Sequence, residues 1–181
     1  MQIKKTDLLL WPNLLTLFRL FLLPFAFYFL LKKTNSGLVI AIILLGIAYF
    51  SDIFDGYLAR KLNQISDLGR ILDPTVDKII IASLAIYLTV HHSFPLWVLI
   101  LLLIEYSAIS IGGIILIKKK KMVPTPTFFG KYTTSILGIA LFFYLINLTF
   151  WKEVFLWIGV GMILITLFTY VRMFILNLSK P

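Results

Sequence analysis

Six apolar stretches, separated by short charged or turn-forming breaks, dominate this chain. A helix of about 20 residues is what the hydrocarbon core of a bilayer requires. The stretches therefore predict membrane-spanning helices at roughly 11–32, 37–60, 68–91, 95–117, 128–148 and 151–176. Hydrophobic residues make up 60% of the 181 residues, more than the roughly 45–50% of a soluble domain. The predicted fold class is all-α, a polytopic membrane protein with six transmembrane helices that form a single domain over residues 1–181.

The N-terminal region differs from the six stretches. Residues 1–10 mix charged and apolar side chains and predict a short amphipathic helix that lies on the membrane surface. The first apolar stretch is too long for a signal peptide, contains Arg19 and lacks a small-residue cleavage site, so it is interpreted as a span.

The formal net charge of +9 concentrates at the ends of the apolar stretches. This distribution favours anionic lipid headgroups as partners over nucleic acid. Most of the Lys and Arg between spans falls on one side, which the positive-inside rule assigns to the cytoplasm. The prediction is a cell (inner) membrane protein with a cytoplasmic N-terminus. The charges assigned to the cytoplasm are Lys4, Lys5, Arg60, Lys61, Arg70, Lys118–Lys121, Lys131 and Lys180, and those assigned to the opposite side are Lys32, Lys33 and Lys152.

Carboxylates are scarce and concentrated. Of eight acidic residues, five lie between positions 52 and 77, at the predicted cytoplasmic ends of spans 2 and 3. An ionisable side chain within or beside a membrane helix is costly and marks a functional site by default. The residues of the pattern are Asp52, Asp55, Gly56, Ala59, Arg60, Gly69, Asp73 and Asp77.

Helical spacing turns the pattern into a candidate metal site. Asp52 and Asp55 are three residues apart and Asp73 and Asp77 four apart, so each pair shares a helix face. The short connection between the two helices lets the pairs converge. Four close carboxylates repel one another unless cations neutralise them, and hard oxygen ligands favour Mg²⁺, Mn²⁺ or Ca²⁺. Small residues beside the aspartates would admit a ligand, and the arginine in the pattern suits a phosphate.

At these residues the chain resembles the CDP-alcohol phosphotransferase family, whose signature is D-x-x-D-G-x-x-A-R-x8-G-x3-D-x3-D. Every fixed position is matched. Residues 12–19 (Pro-Asn-Leu-Leu-Thr-Leu-Phe-Arg) and 72–78 (Leu-Asp-Pro-Thr-Val-Asp-Lys) are similar to segments of its phosphatidylglycerophosphate synthase and cardiolipin synthase branches. Gly130-Lys131-x-x-Thr134 resembles the start of their fifth span.

The resemblance implies an enzyme that transfers a phosphatidyl or similar group from a CDP-linked lipid to an alcohol and releases CMP. It implies two divalent cations per active site, Mg²⁺ or Mn²⁺, held by Asp52, Asp55 and Asp73. Asp77 would contact the second metal and act as the general base. It also suggests a homodimer. The residues expected at the CDP-lipid are Asn13, Thr16, Gly56, Ala59, Arg60, Ser66 and Gly69.

The acceptor follows less directly, because one family feature is missing. Phosphatidylglycerophosphate synthases typically carry an Arg-Glu pair on the fourth span that helps bind the phosphate of glycerol 3-phosphate. This chain has Ile104-Glu105 there. Lys131 and Arg172, with Glu105, are the candidates for binding the acceptor phosphate.

The resulting prediction is a phosphatidyltransferase that uses CDP-diacylglycerol and sn-glycerol 3-phosphate to form phosphatidylglycerophosphate. Alternative acceptors are phosphatidylglycerol, as in cardiolipin synthesis, inositol phosphate and an amino alcohol. A small cation transporter is the alternative of another class. Against it, all four aspartates lie towards one membrane face, spans 4 to 6 have no matching acidic cluster, and Arg60 would repel a cation.

Overall fold

The computed structural model of the chain describes the backbone of residues 10–61, 68–120 and 128–179. Within these ranges it describes the side chains of residues 10–51, 68–69, 71–116 and 129–176. In the described ranges, all regular structure is helical. The helices are α1 (Trp11–Leu31), α2 (Asn35–Lys61), α3 (Gly69–His91), α4 (Leu96–Lys120), α5 (Phe128–Leu145) and α6 (Thr149–Ser179).

The all-α prediction is confirmed for these ranges, and each predicted span corresponds to one helix. The main differences are at the helix ends: α5 stops at Leu145 and α6 begins at Thr149, so the connection between them comprises residues 146–148 instead of the predicted 149–150. Asn147 allows this because it adopts a positive φ of 56°. The backbone N–H of Leu148 then bonds the carbonyl of Phe143 at 3.1 Å, which closes the helix end. The predicted interfacial helix over residues 1–10 lies almost wholly outside the described residues.

Among the residues that the structure describes, three helices are long and apolar enough to cross a membrane: Trp11–Leu31, Leu96–Leu116 and Thr149–Leu176. Two shorter apolar helices cover Asn35–Ser51 and Phe129–Leu145. The first third of α3 is charged, which lowers its mean hydropathy. A membrane protein is indicated, and the full count of six spans stays a prediction.

Large apolar side chains on the outside of the helices support the same conclusion. Phe21 of α1 is 62% exposed, and Phe150 and Phe168 of α6 are each 70% exposed. In water, so much exposed aromatic surface would be unfavourable, whereas lipid tails solvate it. The outward surfaces of these helices are therefore suited to hydrocarbon.

The chain divides into two compact units, Met1–Val76 and Asp77–Pro181. In the first unit, α1 packs against α2 across a tight turn in which Lys33 has a φ of 51°. Gly37 lies so close to the end of α1 that a Cβ there would stand 2.6 Å from the carbonyl oxygen of Phe29. The absence of a side chain at this position lets the two helices meet so closely.

In the second unit, polar groups fix α6 against its neighbours. The hydroxyls of Thr133 (α5) and Thr166 (α6) lie 2.8 Å apart and are buried. Tyr170 of α6 donates a hydrogen bond of 2.9 Å to the carbonyl of Ile109 in α4. Gly112 makes room for this tyrosine, because a Cβ there would stand 2.7 Å from its hydroxyl oxygen. Interhelical hydrogen bonds of this kind replace the hydrophobic driving force that a lipid environment does not supply.

Candidate active site

Two aspartates of the sequence pattern lie near the start of α3. The helix begins at Gly69, and its first turn closes with a 2.8 Å bond from the N–H of Leu72 to the carbonyl of Leu68. Asp73 and Asp77 follow one turn apart, so they share a face of α3. Both side chains are partly buried.

A buried polar face on α1 reaches one of these aspartates. Pro12 occupies an early helical position, where its missing N–H costs nothing, and Asn13, Thr16 and Arg19 follow at intervals of three residues. Asn13 and Arg19 are 2% exposed and Thr16 is fully buried. The Thr16 hydroxyl donates a hydrogen bond of 2.6 Å to Oδ1 of Asp73. An otherwise apolar helix thus directs its polar face to a candidate metal ligand.

The second unit contains a separate polar cluster around Glu105 of α4. Glu105 is 2% exposed and attracts Lys78 of α3 electrostatically. The Lys78 ammonium lies 5.3 Å from the centre of the Tyr106 ring, within cation–π range. Among the described residues, neither Oε2 of Glu105 nor the hydroxyl of Tyr106 has a hydrogen-bond partner, although both are buried. This cluster can therefore bind a small polar molecule or water.

The other predicted site residues differ in how far their side chains are exposed. Lys131 and Arg172 are exposed, whereas Glu105, predicted to bind the same acceptor phosphate, is buried. Gly69 is buried at the first position of α3.

The remaining predictions fall on residues whose side chains, or whose whole structure, lie outside the described part. Asp52, Asp55, Gly56, Ala59 and Arg60 belong to the last turns of α2 by their backbone, but their side chains are outside it, as is Ser66 altogether. Within the described side chains, no three His, Cys, Asp or Glu residues come close enough to hold a metal ion. Two of the four predicted metal ligands were not part of that search, so convergence of the four carboxylates stays a prediction.

Lys78 and Tyr106 have no functional role that the sequence predicts. A signal for Lys78 was present, because it is a cation that immediately follows Asp77 in a helix continuing into an apolar run. Nothing marked Tyr106, since aromatic residues are frequent throughout this chain. Its place beside Lys78 depends on how α3 and α4 are rotated about their axes.

Comparison with known proteins decides the family. The sequence model of the CDP-alcohol phosphatidyltransferase family matches residues 9–172, nearly the whole chain. The chain belongs to this family. The resemblance predicted from the aspartate pattern is thereby confirmed.

Curated relatives in the family are similar over most of the chain. One, from Aquifex aeolicus, is a CDP-diacylglycerol--glycerol-3-phosphate 3-phosphatidyltransferase, 39% identical over 72% of this chain and 72% of its own length. Another of that name, from Wigglesworthia glossinidia brevipalpis, is 36% identical over 84% of this chain and 82% of its own. A cardiolipin synthase (CMP-forming) from Streptomyces coelicolor is 35% identical over 68% of this chain and 59% of its own.

The Lys78–Glu105 pair generates a prediction about stability. Removing one of two charges that interact at partly or fully buried positions leaves the other less compensated, whereas replacing both with apolar residues removes both charges. We expect Lys78→Met and Glu105→Leu each to lower the melting temperature in detergent by roughly 5–10 °C. The double variant should recover at least half of either loss. Additive losses in the double variant would contradict an energetic coupling between the two charges.

Proposed function

We propose that this chain transfers the phosphatidyl group of CDP-diacylglycerol to a hydroxyl of sn-glycerol 3-phosphate, releasing CMP and forming phosphatidylglycerophosphate. The observation that carries the proposal is family membership over residues 9–172, together with the complete aspartate signature from Asp52 to Asp77. Two relatives named for this reaction support the same acceptor. The chain would then be an enzyme of phospholipid biosynthesis.

The residues fit two divalent cations, Mg²⁺ or Mn²⁺. All four proposed ligands, Asp52, Asp55, Asp73 and Asp77, offer hard carboxylate oxygens. Asp73 also has one oxygen fixed by a buried hydroxyl, as metal-binding carboxylates usually do. When bound, the cations would neutralise the negative charge that develops on the phosphate of the leaving CMP.

The chain's own side chains would perform the remaining steps. Asp77 would accept the proton of the acceptor hydroxyl as that oxygen attacks the phosphorus attached to diacylglycerol. The bond between this phosphorus and the CMP oxygen then breaks, and CMP leaves with its electron pair. Arg60 would bind the diphosphate. The small residues Gly56, Ala59 and Gly69, with Asn13 and Ser66, would line the site for the cytidine nucleotide.

Acceptor binding would use charges from α5 and α6. Glycerol 3-phosphate is a dianion, and its phosphate needs cationic donors. The exposed side chains of Lys131 and Arg172 can supply them. Glu105 is buried and interacts electrostatically with Lys78, and its carboxyl oxygens can accept a hydrogen bond, so it suits an acceptor hydroxyl better than the phosphate. In this proposal Glu105 orients the alcohol and the two exposed cations hold its phosphate.

The substrates and the charge distribution favour a location within the membrane and an orientation in it. Both CDP-diacylglycerol and the product carry acyl chains, so the enzyme would work within the cell (inner) membrane, in contact with membrane lipids. The excess of Lys and Arg on one side favours six spans with the N-terminus and the aspartates at the cytoplasmic face. The family resemblance favours a homodimer.

A second acceptor has a specific observation in its favour. The relative from Streptomyces coelicolor is named as a cardiolipin synthase, and Ile104 replaces the arginine expected of a phosphatidylglycerophosphate synthase. Phosphatidylglycerol is therefore the alternative acceptor, ahead of inositol phosphate or an amino alcohol.

A panel of acceptors tests the proposed reaction. Purified protein receives CDP-diacylglycerol and Mg²⁺ with glycerol 3-phosphate, phosphatidylglycerol, inositol phosphate, serine or ethanolamine, and CMP release is measured. Glycerol 3-phosphate should release CMP fastest. Glycerol 3-phosphate releasing no more CMP than water does would refute this acceptor. If no alcohol gives metal-dependent CMP release, a cation transporter becomes the better hypothesis.

In Lys131→Ala, KM for glycerol 3-phosphate should rise roughly tenfold or more, because a charge-assisted hydrogen bond is lost, while KM for CDP-diacylglycerol changes little.

The two aspartates of α3 should differ in their kinetic effects. Asp73→Asn should abolish turnover and weaken metal-dependent binding of the CDP-lipid, because a carboxylate shared between cations loses its charge. Asp77→Asn should lower kcat by at least ~100-fold, the low end for loss of a general base, with much less effect on nucleotide binding. Equal losses of binding in both variants would mean that Asp77 is only a ligand. Substantial turnover by Asp73→Asn at saturating Mg²⁺ would contradict the two-metal site.

A further inference from the structure

The hydrogen bond from Thr16 to Asp73 points to a function for Thr16 that differs from nucleotide binding. Thr16 has no exposed surface, and its hydroxyl oxygen lies 2.6 Å from Asp73 Oδ1. We propose that Thr16 is a positioning residue: its hydroxyl, supported by the buried Arg19 guanidinium, fixes the Asp73 carboxylate in the orientation that a divalent cation needs. This inference rests on the proposed metal site.

The hydroxyl of Thr16 has a single proton, so it can donate one strong hydrogen bond. Two acceptors lie within reach of its single proton, the carbonyl of Pro12 at 3.1 Å and Asp73 Oδ1 at 2.6 Å. A hydroxyl bond to a carboxylate is charge-assisted, shorter and about twice as strong as a bond to a neutral carbonyl. The proton therefore lies on the line to Asp73, and the carbonyl of Pro12 is a secondary contact.

Arg19 supports this arrangement from the other side. A guanidinium can only donate, and Nη2 of Arg19 approaches the Thr16 oxygen at 3.4 Å. That donation occupies a lone pair of the hydroxyl and favours the rotamer in which its proton faces Asp73. Successive hydrogen bonds in a buried, low-dielectric setting polarise one another. The two successive hydrogen bonds, from Arg19 to Thr16 and from Thr16 to Asp73, thus place positive potential beside the Asp73 carboxylate.

The local structure keeps the donor in place. Thr16 is β-branched and lies within α1, where its side chain has few rotamers. Asp73 lies on the neighbouring part of the first unit, one turn into α3. Hydrogen-bond partners behind a metal ligand set its orientation, and losing one typically costs ~10–100-fold in metal affinity or activity.

The test compares three variants by Mn²⁺ binding to the substrate-free protein, followed by the electron paramagnetic resonance signal of free Mn²⁺. Thr16→Val keeps the shape and removes the hydroxyl. Thr16→Ser keeps the hydroxyl and removes the methyl group. Thr133→Val is the matched control, since it also deletes a buried hydroxyl, one that bonds Thr166. Melting temperatures establish that each variant is folded.

Thr16→Val should weaken Mn²⁺ binding by ~10-fold or more, while Thr16→Ser and Thr133→Val stay close to wild type. At saturating Mn²⁺, Thr16→Val should lower kcat and leave KM for CDP-diacylglycerol nearly unchanged. Should Thr16→Val fail to fold, Thr16→Cys replaces it, because a thiol is only a weak donor, and the same loss of affinity is expected.

Three results would overturn the inference. Mn²⁺ binding that is unchanged in the hydroxyl-free variant, with a raised KM for CDP-diacylglycerol, would make Thr16 a contact of the nucleotide. Equal weakening in Thr16→Ser and Thr16→Val would assign the effect to methyl packing. Wild-type protein that binds no Mn²⁺ would overturn both the inference and the proposed metal site, which separates failure of the site from failure of Thr16.

Discussion

Charged groups within apolar helices are the constraint on which this structure depends, because hydrocarbon offers them neither water nor counter-ions. The described part of the chain meets the constraint in two places. In the first unit, Arg19 and Thr16 accompany Asp73. In the second, Lys78 accompanies Glu105 and stands over the ring of Tyr106. Within the described part, the buried Arg19 and Glu105 thus each have a polar neighbour of suitable chemistry.

The two clusters involve neighbouring positions of α3, which carries Asp73, Asp77 and Lys78 within its first three turns. In a phosphatidyltransferase the two clusters would have different chemical roles. One cluster would keep a metal ligand rigid, and rigidity matters because small displacements of reacting groups cost large factors in rate. The other would provide buried polar atoms for an alcohol that must lose its water before it attacks.

The sequence predicts the helices well and the contacts between them poorly, for physical reasons. Length and hydropathy suffice to find segments such as Leu96–Leu116, because the bilayer sets their size. The aspartate signature is equally visible, because carboxylates are rare in this chain. The rotation of each helix is not, since helices that are apolar on every side lack the amphipathic pattern that reveals a buried face. For this reason the sequence does not reveal that Tyr106 lies beside Lys78, or that the hydroxyl of Thr16, which is predicted to contact the CDP-lipid, bonds Asp73. Nor does the sequence reveal the electrostatic interaction between Lys78 and Glu105, which is predicted to bind the acceptor phosphate.

In the proposed metal site, the carboxylates of α2 and α3 hold two divalent cations in one cluster. Anomalous X-ray scattering at the manganese edge, from crystals grown with Mn²⁺ and CDP-diacylglycerol, tests it most directly. Two manganese peaks about 3.5–4 Å apart are expected, bound by Asp52, Asp55, Asp73 and Asp77. A single peak, or peaks that lie away from these aspartates, would contradict it.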